Sequence, residues 1–193
     1  MMANQGKKRR NTRMGLQEAA IRLGVQDGVQ SASIRTIAKE AGVTEGAVYK
    51  HYESKDDLIR EAYTTIVDEM ARNKSVLLQA DLPFEHAVKA WVKLTFEYFE
   101  GNRDAFSYVL FMPHRMASTL GEVYTKQGNM FRSFLLAAQE SGEAKEMDID
   151  LAYAFFTGCV LNVPRMINEG VLEGPARKYA DKTAEVVLGI LAV

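Results

Sequence analysis

The 193 residues contain only four prolines: Pro83, Pro113, Pro164 and Pro175. Proline lacks a backbone donor and clashes with the carbonyl four residues back, so long proline-free stretches leave room for helices. Apolar residues recur in these stretches at three- and four-residue spacing, as in Leu58, Ile59, Ala62, Ile66 and Met70. No alternating run is long enough to suggest a strand. The chain reads as all-α, with about nine helices.

Caps and breakers place their ends. A first helix is expected from about Thr12 to Val25, before Gly28. Ser33 can N-cap Ile34–Ala41, and Gly42 stops that helix with a left-handed turn. Thr44 can cap Glu45–Tyr52, and Ser54 with Asp57 forms a capping box for a helix reaching about Leu78. Pro83 begins a helix with the stripe Phe84, Val88, Trp91, Thr95 and Phe99. A short aromatic helix, Ala105–Met112, follows, and then a long one from Leu120 to near Ser141. Asp148 or Asp150 opens the next, which reaches Glu169 with a kink expected at Pro164; Pro175 suits the first turn of the last.

Charge divides the chain. Its formal net charge is −1, but residues 1–60 hold 11 Lys/Arg against 7 Asp/Glu, a net of +4. Residues 61–193 hold 13 against 18, a net of −5. A basic head on an acidic body implies two tasks. Cys159 is the only cysteine, so neither an intrachain disulfide nor a CxxC metal knuckle is possible, and a reducing cytoplasm is the expected location. The basic N-terminus, with Lys7, Lys8, Arg9, Arg10 and Arg13, is followed by no apolar stretch and does not read as a signal peptide. The uncharged stretch Leu151–Pro164 is shorter than the roughly 20 apolar residues a bilayer requires, so it reads as a buried helix and no membrane partner is expected. GxGxxG, GxSxG, P-loop, HExxH and Glu-x-x-His patterns are all missing from the sequence, and its three histidines are scattered. Neither an enzyme, a metal site nor a cofactor is expected.

The informative segment is Ile34–Ala41, Gly42-Val43-Thr44, Glu45–Tyr52, two helices joined by a short glycine-containing turn. This is the helix-turn-helix plan, although generic helical hairpins share it. Residues 33–59, SIRTIAKEAGVTEGAVYKHYESKDDLI, closely resemble the DNA-binding signature of the TetR family of bacterial repressors. The resemblance rests on Ile37-Ala38, Ala41-Gly42-Val43, Gly46, Val48-Tyr49, His51-Tyr52 and Lys55 followed by Leu58, and it covers about residues 12–60. Two departures stand beside it. Gly24-Val25 and Val29 occupy positions where the family often has aromatics.

The resemblance implies a DNA-binding domain over residues 1–53 and a helical ligand-binding and dimerisation domain over residues 54–193. Thr44 and Tyr49 are expected to bond phosphates, flanked by His51 and Lys55. Glu45, Gly46, Ala47 and Lys50 are expected to face the major groove, with Ser33 and Arg35 at the preceding helix. Arg35 and Lys50 are the favoured specificity residues, because basic side chains pair best with guanine O6 and N7. The implied partners are a palindromic double-stranded DNA operator, a second copy of the chain and a small-molecule effector. Trp91, Thr95, Tyr108, His114, Tyr124, Cys159 and Asn162 combine bulk with a polar handle and are candidates to line an effector site. Phe106, Leu110, Phe131, Phe155 and Met166 are candidates for its apolar wall. His114-Arg115 suits an anion and Glu97, Glu100 and Asp104 suit a cation, so the sequence leaves the effector's charge open. A body that only dimerises or binds a protein is the alternative.

Overall fold

The computed structural model describes residues 2–80, 82–112 and 116–193, with side chains from Thr12 onward except that of Gln79. Among these residues there are ten α-helices and no strand: α1 (Met2–Leu23), α2 (Ile34–Glu40), α3 (Glu45–Val48), α4 (Lys55–Gln79), α5 (Phe84–Gly101), α6 (Arg103–Leu110), α7 (Ala117–Leu120), α8 (Glu122–Glu140), α9 (Ile149–Asn168) and α10 (Ala180–Leu191). The helix beyond the expected nine is α7. Gly121, at φ +61°, separates it from α8, and a residue with a Cβ rarely adopts that conformation. Asp148 resolves the choice of cap for α9, its side chain accepting from the N–H groups of Asp150 and Leu151. The helix continues through Pro164.

The chain forms two compact units. One contains the residues up to Ile66 together with 107–121, and the other contains 67–106 with 122–193. The first unit closes around Leu16, Ala19, Ala20, Ile37, Ala38, Val48, Tyr52 and Leu58, all buried. Each large apolar side chain removed from water contributes roughly 1.5–3 kcal/mol, so this small core can hold α1, α2 and α3 together. Tyr52 fixes its edge. Its ring lies 5.1 Å from the Arg13 guanidinium, its hydroxyl accepts from Gln17 Nε2 at 3.2 Å, and Arg13 Nε donates to Glu61 Oε1 at 2.6 Å. Arg13, read as the end of the basic arm, is therefore tied into the core.

The structure accounts for the missing aromatic at the end of α1. The helix runs into a π-turn, Gly24–Gly28, and a Cβ on Gly24 would lie 2.6 Å from Cε2 of Tyr108. The ring of Tyr108 from α6 fills the space that a local side chain would otherwise occupy. Gly24 is needed there for close approach, which offsets its helix cost of about 1 kcal/mol.

In the second unit α10 packs against α5 and α9, and α8 packs against α9. Helix α5 buries Val88, Trp91, Val92, Thr95, Phe96 and Phe99 along one side. The uncharged stretch Leu151–Pro164, expected as a buried helix, lies in α9. Its buried face is Ala152, Phe156, Val160, Pro164 and Ile167, while Leu151 and Phe155 are exposed. Among the described residues, no helix is long and apolar enough to cross a membrane.

Candidate nucleic-acid interface and effector domain

Three caps set the geometry of the helix pair. Ser33 Oγ accepts from the Thr36 N–H at 3.1 Å, and Thr36 Oγ1 accepts from the Ser33 N–H at 2.8 Å. At the other end of α2, Gly42 takes φ +68°, its N–H donates to Lys39 O at 3.1 Å, and the Val43 N–H donates to Ala38 O at 2.9 Å. That pair of bonds satisfies carbonyls the helix end leaves open and reverses the chain within three residues. Thr44 Oγ1 then accepts from the Ala47 N–H at 3.3 Å and starts α3. Such a cap contributes typically about 1 kcal/mol. The helical turn continues past α3, with the His51 N–H donating to Val48 O at 2.8 Å.

This framework sorts the candidate DNA residues. Val48 points into the core, so its neighbours around the turn point out. Ser33, Arg35, Thr44, Glu45, Gly46, Tyr49 and Lys50 are exposed, and Ala47, His51 and Lys55 are half-buried. Tyr49 has 59% of its surface accessible, which is unusual for a tyrosine beside a core. Lys55 Nζ donates to Gln30 O at 3.3 Å, so part of its donor capacity serves the fold. Gly46 is informative because the fold does not require it. A Cβ there would meet only Thr44 Oγ1, at 4.0 Å. A glycine with no internal reason, on an exposed helix face, leaves a flat surface for close approach from outside.

The candidates for the effector site are divided between the two units. Trp91, Thr95, Phe106 and Phe131 are buried in the second unit. Trp91 meets Phe131 edge-on at 5.5 Å and Phe156 at 6.1 Å, and Phe131 stacks on Phe156 at 3.7 Å. Thr95 Oγ1 donates to Trp91 O at 2.8 Å, which satisfies its proton within α5. Phe106 packs edge-on against Phe99 at 5.3 Å. Tyr124, Cys159 and Met166 are half-buried. Phe155 and Asn162 are exposed, and Asn162 Oδ1 accepts from Arg165 Nε at 2.8 Å. Phe156, one residue further on, is buried and stacks on Phe131. Tyr108 and Leu110 belong to the first unit, where the Tyr108 hydroxyl is buried with no hydrogen-bond partner among the described residues. His114 lies outside the described residues, as does Arg115.

Residues 16–62 match the profile of bacterial regulatory proteins, tetR family. Over these residues the chain belongs to the TetR family. A curated relative, the HTH-type transcriptional repressor KstR2 of Rhodococcus jostii, is 24% identical over 156 residues, covering 78% of this chain and 76% of its own. Among solved structures, the fatty acid degradation regulator FadR from Bacillus halodurans superposes with TM-score 0.80 at 17% identity, covering 92% of this chain and 95% of that one. FadR from Bacillus subtilis in complex with stearoyl-CoA gives TM-score 0.76 at 17% identity, covering 90% and 96%. At these identities the structural likeness speaks for the fold alone. This TetR-family chain is a transcriptional regulator and not an enzyme.

One residue of this TetR-family protein was missed by sequence reasoning. Lys74 lies on α4 with 6% of its surface exposed. Its Nζ is 3.3 Å from Gln127 Oε1 and 5.3 Å from the centre of the Trp91 ring. Burial pushes its pKa down from 10.5 to about 8. The signal was present in the register. The apolar stripe Ile66, Met70 continues at four-residue spacing to position 74, so a lysine stands where the pattern calls for a hydrophobe.

Proposed function

We propose that this regulator is a homodimeric repressor that binds a palindromic operator and leaves it when a small, largely apolar molecule occupies the C-terminal domain. The observation that carries the DNA-binding half is the capped helix pair that turns Arg35, Glu45, Gly46, Tyr49 and Lys50 outward from a closed core. Arg35 and Lys50 are the base-reading residues in this scheme. Thr44, Tyr49, His51 and Lys55 hold phosphates, and Ser33 and Ala47 border the contact. Residues 1–53 form the DNA-binding domain and residues 54–193 the effector and dimerisation domain. The protein works in the cytoplasm, where its operator is.

Dimerisation is supported by apolar side chains left exposed on the second unit: Leu136 on α8, Leu151 and Phe155 on α9, and Val186 on α10. A self-complementary two-fold interface covers such a patch on both copies. Two α3 helices held about 34 Å apart enter successive major grooves. An effector that favours a different spacing by roughly 1–3 kcal/mol lowers operator affinity about 5–150-fold. Helix α4 is the continuous element through which this coupling passes, since Lys55–Ile66 belongs to one unit and Val67–Gln79 to the other. The aromatic cluster around Trp91, and the stearoyl-CoA bound by the Bacillus subtilis FadR relative, favour a ligand with a long apolar body.

The test is release. The intact protein, bound to a selected duplex, is titrated with stearoyl-CoA and with shorter acyl chains. Loss of DNA binding together with a raised melting temperature supports the scheme. If no compound changes either quantity while DNA binding persists, the effector half fails and a dimerising or protein-binding body takes its place.

A further inference from the structure

Among the described residues, the buried ammonium of Lys74 has no counter-ion. The positions three and four residues away on α4 are Met70, Ala71, Leu77 and Leu78, so no carboxylate can pair with it along the helix. The nearby carboxylates on the same helix are engaged elsewhere. Asp68 takes Lys126 Nζ at 2.5 Å, and Glu69 takes the Tyr98 hydroxyl at 3.2 Å. Among the described residues, no carboxylate lies within 4.0 Å of Lys74 Nζ. Burial is the sole cause of its lowered pKa.

The neutral partners are arranged for a cation all the same. Gln127 Nε2 donates to Val67 O at 2.9 Å, which turns Oε1 toward Lys74 at 3.3 Å. The Trp91 face covers the ammonium at 5.3 Å. The ring takes no hydrogen bond of ordinary strength, and the one acceptor leaves two of the three ammonium donors without a hydrogen-bond acceptor among the described residues. An unpaired buried charge is strongly unfavourable, and a fold that needed only packing here would do better with methionine. The arrangement suits a group whose partner arrives from outside.

We propose that Lys74 is the anion-recognising group of the effector site, so that the effector is an amphipathic acid. Its carboxylate or phosphate pairs with the ammonium, and its apolar body lies against the aromatic cluster of Trp91, Phe131 and Phe156. This rests on the effector reading above and assigns the charge that the sequence left open. Trp91 is the only tryptophan, so its fluorescence reports the site directly.

The experiment compares dodecanoate, dodecyl phosphate and dodecanol, three probes with one tail and different heads. Binding to the full-length protein is followed by Trp91 fluorescence and by melting shift. The wild type is expected to bind at least one of the two anions, and about 10- to 100-fold more tightly than dodecanol. Whichever anion binds tighter distinguishes a carboxylate from a phosphate effector. Lys74→Met is expected to remove this preference, to leave dodecanol no weaker, and to melt no lower than the wild type when free. Gln127→Glu puts a carboxylate beside Nζ at the loss of the Val67 bond, and is expected to weaken the anions selectively. It decides the matter even if the methionine variant does not fold. Equal wild-type affinity for dodecanol and the anions, or variants that keep the anion preference, overturns the assignment of Lys74. A saturable response from none of the probes overturns the effector reading itself, and the assignment with it.

Discussion

Replacing Gly46 by alanine separates the two demands placed on α3. Gly46 has no positive φ, and the added Cβ would have Thr44 Oγ1 at 4.0 Å as its nearest neighbour. The fold therefore accepts the methyl without strain. Helical glycine is about 0.5–1 kcal/mol less favourable than alanine, so the variant should be more stable by up to that amount. For a chain of this size that is a rise in Tm of about 1–4 °C. On the operator the sign reverses. A methyl forced into a packed contact costs roughly 1–3 kcal/mol, or about a 5–150-fold loss of affinity. Calorimetry of the free protein and fluorescence anisotropy on a selected duplex, at one fixed salt concentration, read the two effects separately. A lowered Tm would show that α3 packs differently. A raised Tm with unchanged DNA affinity would refute the argument that this face approaches the groove.

Three further outcomes follow from the same geometry. Gly24→Ala places a Cβ 2.6 Å from the Tyr108 ring and should lower Tm, because overpacking of about 1–3 kcal/mol exceeds the gain in helix propensity; Tyr108→Leu in the same chain should recover part of it by calorimetry. Arg35→Glu with Lys50→Glu should abolish operator binding in a gel-shift assay while light scattering still reports the wild-type oligomer, since both side chains are exposed. Lys74 adds a pH dependence of known sign. Its folded pKa of about 8 lies below the ordinary 10.5, so below pH 8 the group is charged in both states and the folded protein carries the full burial penalty. Between about pH 8 and 10.5 the unfolded chain binds more protons, and stability should rise relative to Lys74→Met; denaturant melts of both proteins at pH 7 and 10 that differ by a constant amount would contradict this.

The helix pair was legible because its signals are local. Ser33, Gly42 and Thr44 each act within three or four residues, and each makes the bond its type and position imply. The body was less legible because its signals are tertiary. An uncharged helix such as α9 does not announce which side its neighbours cover: Phe155 is exposed, while Phe156 beside it is buried against Phe131. The partner of Gly24 lies 84 positions away, and no spacing rule links it to Tyr108. The placement of Lys74 was readable from the apolar register of α4, but its lack of a counter-ion was not. That depends on Asp68 and Glu69 having been taken by Lys126 and Tyr98.

The central claim is that residues 33–55 present a sequence-reading surface, used twice by a two-fold dimer. Selection of duplexes from a random library by the full-length protein, followed by sequencing, tests it most directly. The account expects an inverted repeat whose half-sites lie about one helical turn apart, with guanines at the positions that Arg35 and Lys50 read. Recovery of unrelated sequences, or of a single half-site with no symmetry, would contradict it.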